Sequence, residues 1–89
     1  MKLDFEKRRS LELNLYGEKM MLTFPTAKEV NSYVQGIQKA FRGESKKNDY
    51  EVTLDFLIAC GMKKKDAESM EMNVMEQVIE ALTDQTKKN

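Results

Sequence analysis

The chain contains no histidine, and this absence removes several classes of chemistry at once. Histidine is the commonest general base near neutral pH, the usual partner of a Ser or Cys nucleophile and a frequent zinc ligand. The glycines offer no substitute, since Gly36 and Gly43 are too far apart for a phosphate-binding loop and no Walker or dinucleotide-binding pattern occurs. The sequence therefore predicts a protein that is not an enzyme and that holds no cofactor or metal.

A single cysteine and the lack of long apolar runs indicate where the protein works. Cys60 alone cannot form an internal disulfide, which fits a reducing compartment. No segment approaches the ~18 consecutive apolar residues of a membrane span, and the N-terminal stretch MKLDFEKRRS lacks the apolar core of a signal peptide. We expect a cytoplasmic protein in which Cys60, near the end of an apolar helix, is buried for structural reasons.

The chain has no excess of charge of either sign, because 15 Lys and Arg residues balance 15 Asp and Glu residues. Nucleic-acid-binding proteins usually carry a basic excess, since counterions released from phosphates supply much of their affinity. Nucleic-acid binding is therefore disfavoured, although the basic run at 63–65 keeps a small nucleic-acid-binding or transcriptional regulator as an alternative. A net charge near zero also favours self-association.

With 89 residues, we expect one domain, 1–89, that begins with a β-hairpin at 10–24. Apolar residues alternate along both halves of this segment, which is typical of strands with one covered face. Gly17 followed by Glu18 is predicted as the two-residue loop, with the glycine first. The alternating apolar residues are Leu11, Leu13, Leu15, Met20, Leu22 and Phe24.

The only proline, Pro25, ends the second strand because it has no N–H for the ladder. Thr26 and Glu29 have the spacing of a capping box, which predicts a helix at 26–42 with Gly43 at its C-terminal end. Gly36 is expected to weaken this helix by ~1 kcal/mol relative to alanine. Its predicted apolar stripe consists of Val30, Tyr33, Val34, Ile37 and Phe41.

Three further helical segments follow. A largely buried helix is predicted at 49–60, capped by Asn48 or Asp49 and ended by Gly61. Its broad apolar face consists of Tyr50, Leu54, Leu57 and Ile58, widened by Val52, Phe56 and Ala59. A short helix at 64–70 precedes a helix at 73–83 that is capped by Asn73, and 84–89 is predicted as a frayed tail. The expected fold is α+β: an N-terminal β-hairpin followed by three to four short helices packed as a small helical domain.

Methionines and paired acids are the remaining candidates for function. Met62, Met70, Met72 and Met75 cluster in the C-terminal third, where they would either fill irregular gaps in the core or form a surface that adapts to a partner. Glu51 with Asp55, and Glu76 with Glu80, have the spacing of a metal-ligating or acid–base pair. Charges on exposed helix faces usually serve solubility, which is the interpretation we favour for both pairs.

The order of these elements resembles the tail assembly chaperones of long-tailed, siphovirus-type bacteriophages. The resemblance spans about Leu11 to Leu82 and depends on a short hairpin with YGEKMMLTF, a second strand that runs directly into PTAKEV at the start of a helix, and compact helices after it. It implies a non-enzymatic protein of the infected host's cytoplasm that is not part of the mature virion. Such proteins keep the long, largely helical tape-measure protein soluble, recruit tail-tube subunits and tend to self-associate.

The resemblance also implies which of two forms of the chaperone this chain would be and which surface would bind its partner. Many of these phages make a short chaperone and a frameshift-extended long one, and 89 residues would suit the short form. A tape-measure helix exposes apolar stripes, which a spare apolar face could cover by helix-in-groove packing. The face predicted to bind this partner comprises Phe41, Met70, Met72 and Met75. A generic protein-interaction adaptor is the other alternative.

Overall fold

The computed structural model describes residues 2–83, so the frayed tail predicted at 84–89 lies outside the described residues. Two antiparallel strands are followed by four helices, which confirms the predicted α+β fold. The elements are β1 (Ser10–Leu15), β2 (Glu18–Thr23), α1 (Ala27–Phe41), α2 (Asp49–Ala59), α3 (Lys64–Ser69) and α4 (Met72–Thr83).

The hairpin has the predicted apolar face but a different turn. Leu11 pairs with Leu22 and Leu15 pairs with Glu18, so the loop consists of Tyr16 and Gly17 rather than Gly17 and Glu18. Both loop residues have positive φ, 53° and 90°, which is the requirement of a type I′ turn. The predicted loop was therefore one residue out of register, because Tyr16 adopts a left-handed conformation that few residues other than glycine favour.

The junction between β2 and α1 has the predicted chemistry. Thr26 Oγ1 accepts a hydrogen bond from Glu29 N at 3.1 Å, and Glu29 Oε1 accepts one from Thr26 N at 2.9 Å, which completes the capping box. At the other end, Gly43 N donates to Ala40 O, and the next N–H donates to Lys39 O. This pair of bonds is a Schellman motif, so Gly43 ends α1 as predicted.

The apolar stripe of α1 is only partly covered. Val30 and Tyr33 pack against the core, whereas Val34 and Phe41 are exposed and no residue of α1 is fully buried. The prediction that Val34 turns inward with Val30 and Tyr33 is wrong. The reason is that α1 packs mainly against one neighbour, α2, which covers only one side of it.

Helix α2 is the buried centre of the fold. Val52, Leu54, Phe56 and Leu57 are buried, whereas Tyr50 and Ile58 of the predicted main face are exposed. The predicted apolar face is therefore right for these four buried residues and wrong for Tyr50 and Ile58, and also for Ala59, which is exposed. The contact of α2 with α1 includes a close approach at Gly36, where an added Cβ would lie 2.8 Å from Val52 Cγ1.

The end of α2 joins the hairpin to the helices. Gly61, with φ of 105°, donates from its N–H to Ile58 O at 3.0 Å and so ends the helix as predicted. The carbonyl of Cys60 accepts a hydrogen bond of 2.8 Å from Thr23 N, which attaches the last residue of β2 to α2.

Helix α4 begins one residue before the predicted start. Met75 N donates to Glu71 O at 2.9 Å, so Met72 is the first helical residue and Asn73 lies inside the first turn instead of capping it. The N–H of Glu71 is itself held by the Tyr16 hydroxyl at 3.0 Å. The turn of the hairpin thus contacts the junction between α3 and α4.

The core lies between the leucine face of the hairpin and α2, α3 and α4. Three of the clustered methionines, Met62, Met70 and Met75, are buried in it and fill gaps as one of the two predicted roles requires. Among residues 2–83, no buried side-chain polar atom lacks a hydrogen-bond partner. The buried cluster consists of Leu15, Leu22, Leu54, Phe56, Leu57, Cys60, Met62, Ala67, Met70, Met75, Val78 and Leu82.

Candidate functional site: an apolar groove between three helices

An open groove of about 440 Å³ lies between α1, α2 and α4, and we refer to it as the α4 groove. Most of its lining is apolar or aromatic, and its charged side chains are all acidic. The lining residues are Tyr33, Ile37, Asp49, Tyr50, Thr53, Met72, Met75, Glu76, Ile79, Glu80 and Thr83.

Helix α4 supplies one wall as a continuous face. Its lining residues occur at steps of three, one, three, one and three along the helix, from Met72 to Thr83, and this spacing puts them on one side. Met75 is buried and forms part of the floor, whereas Met72 is 65% exposed at the rim. A flexible thioether at the rim can change rotamer to suit a contacting surface.

The first turn of α2 forms the opposite wall, and a second capping box holds it in place. Asn48 Oδ1 accepts from Glu51 N at 2.8 Å, and Glu51 Oε1 accepts from Asn48 N at 3.0 Å. Asp49 Oδ1 accepts from Tyr50 N at 2.8 Å. These bonds fix the turn that presents Tyr50, 41% exposed, at the groove.

Helix α1 closes the third side with Tyr33 and Ile37, which are one turn apart. The ring of Tyr33 packs on Phe56 of α2 with their centroids 4.6 Å apart, so this wall is held by the core. Phe41 lies one further turn along the same side of α1 and is 84% exposed. Phe41 therefore adds one exposed apolar side chain on α1 beyond the lining of the groove.

The four residues predicted to bind a partner do not form one surface. Met72 and Met75 line the α4 groove, and Phe41 lies on α1 beyond that lining. Met70 is buried in the core and does not line the groove, so it is unavailable on the surface of this structure. Sequence reasoning missed Tyr33, Ile37, Tyr50 and Ile79 as members of the site.

A second groove, of about 530 Å³, lies on another side of the α1–α2 pair. Its lining includes Gly36 and Val52 and carries both charge signs, with Lys28 and Glu29 from α1. Lys47 and Asp55 also line it and form an ion pair with each other. The hydrogen bond from Lys47 to Asp55 is the main reason that the pKa of Lys47 is raised.

The acidic pairs and the basic run occupy exposed positions. Glu51 takes part in the capping box, and Asp55 pairs with Lys47, so the first acidic pair has structural partners. In the part of the chain that the structure describes, no group of three or more His, Cys, Asp or Glu side chains is placed to hold a metal ion. Lys63 and Lys65 line a depression together with Lys19, Glu18 and Asp66, so this basic run has acidic residues beside it.

Cys60 is buried, as predicted, at the C-terminal end of α2. Burial, together with the negative charge of Glu29, raises the pKa of its thiol from 9.0 to about 11. The reactive thiolate is therefore scarce at neutral pH, and the side chain contributes packing.

Comparison of the chain with protein-family models gives no match, and neither curated proteins nor solved structures give one. None of the helices within residues 2–83 is both long enough and apolar enough to cross a membrane.

Proposed function

We propose that this protein is a tail assembly chaperone of a long-tailed bacteriophage and that its α4 groove binds helical segments of the tape-measure protein. It acts without catalysis in the host cytoplasm, helps to recruit tail-tube subunits and is left out of the mature virion. The recruitment step and a tendency to form homo-oligomers come from the family resemblance alone.

The observation that carries the proposal is the α4 groove with its exposed apolar surroundings. Tyr50 and Met72 present apolar surface at the groove, and Phe41 adds an exposed apolar side chain on α1 beyond its lining. An amphipathic helix binds such a groove by inserting its apolar side chains between the helices of the receptor. A tape-measure protein, whose apolar stripes are uncovered until the tail tube forms around it, would present this kind of helix.

The order of the elements supports the same proposal. A hairpin that contains YGEKMMLTF leads directly through Pro25 into a helix capped by Thr26 and Glu29, and three more helices follow. This is the arrangement on which the resemblance to the chaperones depends. A generic adaptor would use the same groove for another helical partner, so the identity of the partner separates the two functions.

Co-expression with the tape-measure protein encoded in the same genome tests the proposal. We expect the tape-measure protein to be insoluble when produced alone and to remain soluble, in a complex, when this chain is produced with it. An unchanged soluble fraction would contradict the chaperone function. Retention of a different helical protein, with no effect on the tape-measure protein, would indicate an adaptor.

A further inference from the structure

We infer that the helix bound in the α4 groove carries Lys or Arg residues on the flanks of its apolar stripe, and that Asp49, Glu76 and Glu80 select it by charge. The inference rests on the proposed function, because it specifies the partner of the same groove. It adds the charge of the flanking residues as a criterion for which helices bind, and the apolar lining alone does not supply that criterion.

The charge of the α4 groove is one-sided. Three of its lining side chains are acidic and none is basic, although the whole chain has equal numbers of acidic and basic residues. The second groove, formed largely by the same two helices α1 and α2, has two lysines and two acids. The acidic character is thus local to the α4 groove.

The acidic residues lie beside the apolar lining of the groove. Glu76 and Glu80 are one turn apart on α4, adjacent to the row formed by Met75 and Ile79. Asp49 faces the groove from the first turn of α2. A helix whose apolar stripe contacts Met75 and Ile79 would therefore place the residues beside that stripe next to carboxylates from two helices.

These three carboxylates, those of Glu76, Glu80 and Asp49, form no ion pair within the described residues. Exposed charges of one sign around a binding surface speed the encounter with a partner of opposite sign and disfavour partners of like sign. The pair Glu76 and Glu80 thus has a role in recognition beyond solubility.

Two designed peptides test the inference directly. Each is a dye-labelled 18-residue amphipathic helix with the same leucine stripe, flanked by Lys in one peptide and by Glu in the other. Fluorescence anisotropy would measure the binding of each to the full chain. We expect the Lys-flanked peptide to bind roughly tenfold more tightly at low salt, since several exposed ion pairs contribute, and the difference to shrink as salt is added.

Matched variants show whether Glu76 and Glu80 cause the difference in affinity between the two peptides. The double variant Glu76→Gln with Glu80→Gln should bring the affinities of the two peptides close together. The control Glu12→Gln with Glu18→Gln removes the same charge from exposed positions of the hairpin and should preserve the difference. Circular dichroism would establish that both variants retain the native helix content.

The possible results distinguish charge selection by the groove from helix binding by the groove. Equal binding of both peptides by the wild-type protein would overturn charge selection and leave the groove as a helix-binding site. Failure of both peptides to bind would overturn the groove as a helix-binding site and the inference together. A dimer of the protein alone that the E76Q/E80Q variant disrupts would also overturn the inference, because a second copy would then occupy the groove.

Discussion

The Cγ1 atom of Val52 lies 2.8 Å from the point where a Cβ atom would stand on Gly36. Real Cβ contacts are longer than this, and Val52 is buried and stiff about χ1, so it has little freedom to move. Glycine at position 36 therefore allows α1 to approach α2, and α1 with α2 supplies two of the three walls of the α4 groove.

The variant Gly36→Ala tests this contact. In an open helix the change would stabilise by ~1 kcal/mol through helix propensity. We expect overpacking against Val52 to outweigh that gain and to lower the free energy of unfolding by ~1–2 kcal/mol. Urea denaturation measures the effect, with Gln35→Ala on the exposed face of α1 as the control.

A double-mutant cycle assigns the cost to the pair. Combining Gly36→Ala with Val52→Ala should destabilise the protein less than the sum of the single changes, because the smaller side chain leaves room for the new methyl group. Additive effects, or a stabilised Gly36→Ala variant, would mean that the two helices are not held at this distance.

The Tyr16 hydroxyl is predicted to stabilise the fold by joining elements that are far apart in the chain. It accepts a hydrogen bond from Glu71 N, 55 residues away, at the start of α4. Tyr16→Phe should therefore lower the free energy of unfolding by ~1 kcal/mol. Tyr50→Phe removes a hydroxyl that makes no side-chain hydrogen bond within the described residues, and the same urea measurement should show almost no change for it.

Cys60 provides a test that depends on pH. Because its thiol pKa is raised from 9.0 to about 11, the folded state disfavours the thiolate. This difference in pKa between the folded and unfolded states contributes to the free energy of unfolding, and the contribution is fully present below pH 9 and is lost as the pH rises towards 11. We expect the wild-type protein to lose stability relative to Cys60→Ala over this interval.

The reactivity of Cys60 gives a second readout of its burial. A thiol reagent at pH 8 should label the native protein slowly and the urea-unfolded protein quickly, since the side chain is almost fully buried. Rapid labelling of the native protein would contradict the position of Cys60 in the core.

Local signals predicted most of the fold. The alternation of leucines indicates the hairpin. The spacing of Thr26 and Glu29 indicates where α1 begins, and Asn48, as a capping residue, indicates where α2 begins. The turn of the hairpin was predicted wrongly because Tyr16 has positive φ, which few non-glycine residues adopt. The start of α4 was predicted one residue late because the chain just before it contacts Tyr16, a residue remote in the sequence.

The groove could be predicted only in part. The spacing of Met75, Glu76 and Glu80 already puts them near one another on the predicted helix, whatever packs beside it, whereas Met72 lay before the predicted start of that helix. That Met70 is buried depends on how the hairpin and the later helices form the core, and that Tyr33 and Tyr50 complete the site depends on how α1 and α2 pack against each other. The absence of a side chain at Gly36 permits that packing, whereas the sequence pattern suggested only a weakened helix.

The binding of the tape-measure protein by the α4 groove is tested most directly by comparing two exposed methionines during co-expression with that protein. Met72, 65% exposed, is at the α4 groove, and Met21, 61% exposed, is on the hairpin, so Met72→Asp and Met21→Asp introduce the same charge at similar exposure. We expect the wild-type protein and Met21→Asp to keep the tape-measure protein soluble and Met72→Asp to fail to do so. Equal solubility with both variants would contradict the claim that this groove binds it.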